Sequence, residues 1–235
     1  MPAPLRSAPV LVAIDGTESG LDALALGRTL AALMQAPLVL GAVHGYEPLA
    51  SLFGGPGWPG PEESWEWLRR ASREPGRDAR CRLVTIGADS VAHGLAALAR
   101  REGAAVIAIG TSERGAAGRL RAGTGARRVL HAAGCPVAIA PPGWRGRPLG
   151  AQLVFGVGAD GEAALQWGRA LAAAAGATLR MLQGDPAARV AAGAGPDLLI
   201  VGSYRHATTA CPLLIVPAGT PPPGLRPPTL AAARG

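Results

Sequence analysis

Short apolar segments alternate with longer amphipathic segments between residues 10 and 140. The apolar segments, such as VLVAID from Val10, are nearly uninterrupted, whereas a longer segment such as 89–102 lines one face with Val91, Leu95 and Leu98. Segments that are apolar throughout are typical of parallel strands covered on both faces, and the amphipathic pattern is typical of the helices that cover them. The predicted strands are 10–15, 38–43, 81–86, 105–110 and 136–140, and the predicted helices are 19–35, 62–73, 89–102 and 124–133.

The helix predicted at 62–73 carries two tryptophans. It begins with Glu62-Glu63 and ends with Arg69-Arg70, which matches the helix dipole. Trp65 and Trp67 are two positions apart, so they cannot share one face of a helix. We therefore expect at least one of them to be half exposed, with packing as its role.

The second part of the chain repeats the first in shortened form. The matched pairs are ALGRTLAALMQAPLVL (25–40) with QWGRALAAAAGATLRML (166–182), GAAVIAIGTS (103–112) with GPDLLIVGS (195–203), and GCPVAIAP (134–141) with ACPLLIVP (210–217). Three matches in the same order indicate a tandem duplication. The second copy is predicted to form helices near 161–175 and 186–194 and strands from Gln152 and near 178–182, 197–201 and 212–216.

This duplication predicts four segments along the chain. They are a complete first copy (1–143), a Pro/Gly/Arg linker (144–151), a reduced second copy (152–217) and a proline-rich tail (218–235) that we expect to be disordered. Because strands and helices alternate in both copies, the predicted class is α/β, with two Rossmann-like parallel-sheet domains in tandem and the second truncated.

Composition limits the classes of function. All 23 basic residues are arginine and the net charge is +7, but the arginines are scattered without interleaved aromatics, which argues against nucleic-acid binding. The spacing of the three cysteines and four histidines does not suit a disulfide framework or a metal site. No apolar run is long enough to span a membrane, and the first residues lack the pattern of a signal peptide, so we expect a cytoplasmic protein.

Two loops of the first copy follow strands whose carboxyl ends would meet at one edge of the sheet, where open α/β sheets bind ligands. The first contains Asp15, which suits a ribose hydroxyl or a purine amine, although it could equally cap the turn, with Thr17 or Ser19 capping the next helix. The second runs from Gly110 to Thr124 and is rich in glycine. Its N–H groups and the following helix start suit phosphate, but it lacks the Gly-Lys-Ser/Thr of a Walker loop.

The combination of Asp15, Gly110 and Gly123-Thr124 resembles the nucleotide-binding members of the universal stress protein family. Their motif is Gly, two residues, Gly, nine residues, then Gly-Ser/Thr, and VAIDGTES and GCPVAIAP resemble the first and last strands of that family. The resemblance covers nearly all of 9–142 and, more loosely, 152–217. It implies ATP or AMP as the ligand, with or without Mg. The implied binding residues are Asp15 and Gly16 with the backbone of Ala42 or Val43 for adenine and ribose, and Gly110, Thr111, Gly123 and Thr124 for phosphate.

One residue departs from the family pattern. Glu113 stands where the second glycine of the motif belongs. A positive φ would strain a non-glycine residue there, and a carboxylate would repel phosphate, so we expect weakened binding. Arg114, Arg119 and Arg121 in the same loop could offset the charge.

The resemblance also implies how the two copies are arranged. In the family, the final strands of two domains commonly pair across a dimer axis. Here PVAIA (136–140) and PLLIV (212–216) would pair antiparallel within one chain, making an intrachain pseudo-dimer in which Cys135 and Cys211 lie apart. Copy two lacks the glycine-rich loop and should not bind nucleotide. A protein partner or homodimer remains open.

Three functions follow for this architecture. The first is a stress-response regulator that binds ATP or AMP through copy one. The second is a scaffold that binds no nucleotide and acts through protein contacts. The third is an adenine-nucleotide hydrolase-like enzyme, against which the sequence DGTES after strand one weighs. We nominate no catalytic residue, and any ATPase activity is expected to be slow.

Overall fold

The computed structural model describes residues 8–45, 59–75, 81–111, 120–121, 124–145, 155–157, 161–181, 197–202, 208–209 and 211–223. Its helices are α1 (Glu18–Met34), α2 (Pro61–Ser72), α3 (Val91–Glu102), α4 (Thr124–Ala133) and α5 (Glu162–Ala175). Its strands are β1 (Val10–Ala13), β2 (Leu38–Gly45), β3 (Cys81–Ala88), β4 (Val106–Gly110), β5 (Leu120–Arg121), β6 (Val137–Ala140), β7 (Phe155–Val157), β8 (Leu179–Met181), β9 (Leu198–Val201), β10 (Thr208–Thr209) and β11 (Leu213–Ile215). None of the described helices combines the length and apolarity that crossing a membrane requires.

The strands and helices predicted for copy one are all present. β2 and β3 each run two residues further than the pattern indicated, to Gly45 and Ala88. In copy two, the predicted helix near 186–194 lies outside the described residues. β5 and β10 are the elements that the hydrophobic pattern did not predict.

Among the described residues, nine strands form one sheet that runs through both copies. Its order is β3-β2-β1-β4-β6 from copy one, followed by β11-β9-β7-β8 from copy two. Neighbouring strands are parallel except at the junction, where β6 and β11 pair antiparallel with Ala138 opposite Leu214. This junction confirms the predicted intrachain pseudo-dimer. No counterpart of β3 follows β8 in the described part of copy two.

Cys135 and Cys211 at the junction form no disulfide with each other, as predicted. Antiparallel pairing sends the start of β6, preceded by Cys135, and the start of β11, preceded by Cys211, to opposite ends of the junction. Burial raises the pKa of the Cys135 thiol to about 11, so this thiol stays protonated at neutral pH.

A second, two-stranded sheet also joins the copies. β5 pairs antiparallel with β10, with Leu120 opposite Thr209 and Arg121 opposite Thr208. β10 lies between β9 and β11, as β5 lies between β4 and β6. Copy two therefore keeps a short strand at the position that corresponds to β5, although its sequence lacks the glycine-rich loop that copy one has there.

Apolar side chains cover both faces of the nine-stranded sheet because successive residues of each buried strand point to opposite sides. On one side, strand residues such as Val10 and Val12 pack against α1, α2 and α5, whose central side chains include Leu30, Leu68 and Trp167. On the other side, residues such as Leu11 pack against α3 and α4. The two helical layers fix the sheet edge where the strands of copy one end.

The segment after β6 is tied to α1 by a buried carboxylate. Asp22, 3% exposed, accepts hydrogen bonds from the backbone N–H groups of Gly143 at 2.8 Å and Arg145 at 3.1 Å. Between them Trp144 is buried, and the Arg145 guanidinium pairs with Glu18. The beginning of the predicted linker is therefore held against the first copy.

The beginning of the predicted tail also contacts the fold. The indole N–H of buried Trp167 in α5 donates to the backbone carbonyl of Thr220 at 3.0 Å. The structure describes residues 218–223 of the segment for which disorder was predicted, and 224–235 lie outside the described residues.

Candidate functional site

A cavity of about 630 Å³ opens at the carboxyl ends of β1, β2 and β4. This is the sheet edge at which parallel α/β folds bind ligands, and the volume is within the range of small-molecule pockets. The cavity is lined by Ala13, Ile14, Asp15, Gly41, Val43, Pro59, Trp67, Asp89, Ser90, Val91, Ala92, Leu95, Ile109, Gly110, Gly125, Ala126, Arg128 and Val129.

Asp15 caps the turn after β1 and also lines the cavity. Its Oδ1 accepts hydrogen bonds from the Thr17 backbone N–H at 3.0 Å and from the Thr17 hydroxyl at 2.6 Å. Thr17 in turn caps α1 by accepting from the Gly20 N–H at 3.3 Å. Within the described residues, Oδ2 makes no hydrogen bond. Asp15 thus caps the turn and still presents an acceptor in the cavity lining.

Gly110 ends β4 where α1 begins. A β-carbon at this position would overlap the backbone carbonyl of Ser19 in the first turn of α1. Only glycine allows this close approach, and it also leaves backbone exposed in the cavity wall. The glycine therefore has a packing reason that is independent of any ligand.

The start of α4 forms another wall of the cavity. The helix begins at Thr124, and its residues Gly125, Ala126, Arg128 and Val129 line the cavity. Free N–H groups at a helix start and its partial positive charge favour an anion. A β-carbon at Gly125 would meet nothing within 4 Å, so this position is open space.

The structure brings together three of the residues proposed from the sequence. Asp15, Val43 and Gly110 all line the cavity. Ala42 is buried and packs in the core on the α1 side of the sheet, because strand residues alternate between faces. Since β2 continues to Gly45, neither Ala42 nor Val43 ends the strand.

The remaining proposed residues differ in their placement. Gly16 has φ of +74° and lies beside Trp67. Thr111 is buried and already has an interaction partner within the protein. Thr124 is described through its backbone as the first residue of α4. Gly123, the phosphate-loop residue Glu113 and its neighbour Arg114 lie outside the described residues.

Sequence reasoning missed two features of the cavity. One is the part of the wall formed by Trp67 of α2, since a tryptophan in a helical pattern gives no sign that it reaches the loop after β1. The other is Asp89 at the end of β3, whose carboxylate pairs with His93 Nδ1 at 3.1 Å. This hydrogen bond lowers the pKa of the Asp89 carboxyl. The placement of Asp89 before a helix start was its sequence signal.

The sequence profile of the universal stress protein family matches residues 7–141, more than half of the chain. The chain belongs to the universal stress protein family. The match coincides with copy one, which carries the cavity. No curated protein sequence matches this universal stress protein closely enough to add to that assignment.

Two of the similar solved structures agree with the fold over both copies. A protein of unknown function from Pseudomonas aeruginosa PAO1 aligns over 90% of this chain and 92% of its own, at 15% identity and a TM-score of 0.62. A universal stress protein from Archaeoglobus fulgidus DSM 4304 aligns over 91% of this chain and 99% of its own, at 13% identity and a TM-score of 0.59. An A. fulgidus universal stress protein solved in complex with dAMP aligns over 58% of this chain and 99% of its own, at 21% identity and a TM-score of 0.43.

Proposed function

We propose that this universal stress protein is a stress-response regulator that binds ATP or AMP in the cavity of copy one. Copy two completes the sheet and binds no nucleotide. The proposal assigns no catalytic residue, and the bound nucleotide acts as a signal that a protein partner reads. A cytoplasmic location fits this role.

The observation that carries the proposal is the shared wall of Asp15, Gly110 and the start of α4 around one cavity. A nucleotide needs a polar group for its base or sugar, an apolar surface for its base and donors for its phosphates. Asp15 offers the first, Val43 and its apolar neighbours the second, and the N–H groups at the start of α4 the third.

The test is calorimetric titration of the full chain with ATP and with AMP, each with and without Mg²⁺. We expect one site per chain. Asp15→Asn replaces a carboxylate oxygen with an amide group, and loss of a hydrogen bond to a charged group should weaken binding by roughly tenfold or more. Glu113→Gly removes the charge in the phosphate loop and should strengthen binding.

Gly125→Ala provides a sharper test, with Gly60→Ala as its control. Both glycines lie at a helix start, and an added β-carbon meets nothing within 4 Å at either, so both variants should fold. Only Gly125 lines the cavity. We expect Gly125→Ala to weaken ATP binding because its methyl group keeps phosphate away from the backbone, whereas Gly60→Ala should bind like the wild type.

A different result would support the second function. If the wild type binds neither ATP nor AMP, the regulator proposal is wrong and the scaffold, built on the β6–β11 junction, is favoured. Binding restored in Glu113→Gly would show that Glu113 had switched the site off. Steady release of phosphate from ATP at a rate beyond slow background would instead favour the hydrolase-like enzyme.

A further inference from the structure

Trp67 holds an unusual position among the residues of the cavity. It lies on α2, yet it lines the cavity beside the loop that follows β1. The neighbouring turn of α2 is fixed by buried Leu68 and Ala71, and the segment before the helix is tied to β2 by the hydrogen bond from Gly45 N–H to the Pro59 carbonyl at 3.2 Å. These contacts fix the position of the helix that carries the Trp67 indole.

Gly16 accommodates the indole. A β-carbon built on Gly16 would lie 2.5 Å from both Cε2 and Nε1 of Trp67, which is closer than non-bonded atoms can approach. Gly16 also has φ of +74°, which other residues rarely adopt. Gly16 directly follows Asp15 in the chain. The indole therefore contacts the neighbour of the residue whose carboxylate is proposed to bind the base or ribose.

We propose that Trp67 stacks on the base of the bound nucleotide and gives this site its preference for purines. The inference rests on the proposed function. An aromatic side chain in the cavity lining beside the Asp15 carboxylate suits a heterocycle that stacks on the ring and is oriented at one polar edge. Stacking on an aromatic side chain tolerates different bases, but its strength grows with ring area, so a purine is held more tightly than a pyrimidine.

Trp65 is a useful comparison for Trp67, because it is a tryptophan on the same helix that cannot contact a ligand in the cavity. It lies on the same helix and is 37% exposed, but it does not line the cavity. Trp67 is half-buried and packs partly on the core around α1. A purely structural Trp67 would affect stability without changing which base is preferred.

The experiment compares wild type, Trp67→Leu, Trp67→Phe and the control Trp65→Phe, each titrated with ATP and CTP. Trp67→Leu should weaken ATP binding by roughly 5- to 100-fold while changing CTP binding less, so the ratio of the two affinities falls. Trp67→Phe keeps a smaller ring and should show an intermediate ratio. ATP should quench the tryptophan fluorescence of the wild type and of Trp65→Phe, and this quenching should be lost in Trp67→Phe.

The outcomes separate this inference from the function on which it rests. If wild type binds none of ATP, AMP and CTP, both proposals are overturned. If wild type binds ATP but Trp67→Leu and Trp67→Phe keep its affinity and its ATP-to-CTP ratio, only the role of Trp67 is overturned. Should Trp67→Leu fail to fold, as thermal unfolding would reveal, Trp67→Phe and the fluorescence comparison with Trp65→Phe decide the question.

Discussion

Gly110 could be a glycine for either of two reasons, phosphate binding or close packing, and the sequence alone does not distinguish them. Its position in a glycine-rich loop indicated phosphate binding, while the structure shows that the first turn of α1 needs the space of a side chain. Asp15 is similar, since it both caps the turn through Oδ1 and lines the cavity. The sequence could predict that Asp15 and Gly110 lie near one site, because the carboxyl ends of the parallel strands β1 and β4 lie at the same edge of the sheet. Trp67 was not, because its neighbour Gly16 is distant in sequence.

We expect Gly110→Ala to destabilise the fold whether or not nucleotide is present. The added methyl group meets backbone of Ser19, which cannot rotate away, and overpacking of this kind costs about 1–3 kcal/mol. For a chain of this size the midpoint of thermal unfolding should fall by several degrees. Gly125→Ala, which has open space around it, is the matched control and should unfold at or above the wild-type temperature. Equal midpoints for wild type and Gly110→Ala would contradict the packing argument.

At the scale of elements, the helices and longer strands could be predicted because their hydrophobic periods are strong. The two-residue strands β5 and β10 have no period that a sequence pattern could reveal, and they exist through their pairing with each other across the two copies. The fixed start of the linker was also beyond prediction. Gly143 at the end of copy one and Arg145 of the linker are held by Asp22, which is far away in sequence and resembles any acidic residue early in a helix.

Asp22→Ala should loosen the segment after β6 from α1. The substitution leaves two backbone N–H groups without their acceptor and removes a buried carboxylate, so we expect a loss of about 2–4 kcal/mol in the free energy of unfolding. Urea unfolding measures this loss. Glu18→Ala breaks the pair of Arg145 with an exposed carboxylate and removes the acidic residue in the first turn of α1, and it should cost less than about 1 kcal/mol. Similar losses in the two variants would show that the buried carboxylate has no special role.

At the scale of the whole molecule, the antiparallel junction of β6 and β11 makes two copies into one sheet. This arrangement followed from the tandem repeat together with the family resemblance, not from the periodicity of either strand. The junction gives β6 a partner strand on its second side, and an uncovered apolar strand edge pairs readily with other chains.

A fragment ending at Arg145 tests this role of copy two. It keeps the hydrogen bonds to Asp22 but loses β11, so the edge of β6 is uncovered. We expect the fragment to self-associate as its concentration rises, whereas the intact chain cannot associate through this edge. Light scattering after size-exclusion chromatography measures the mass of both. A fragment that stays monomeric over the same concentrations as the intact chain would show that β6 needs no cover.

The position of β11 at the end of copy two also matters while the chain is being made. Copy one leaves the ribosome first, with β6 already complete, but its partner strand is synthesised only after nearly all of copy two. At ordinary rates of translation this takes on the order of ten seconds, longer than a domain of this kind needs to collapse. During that interval nascent copies on neighbouring ribosomes present identical apolar edges to one another. The fusion that guarantees a partner in the finished molecule thus creates a period in its biogenesis when a chaperone has most to protect.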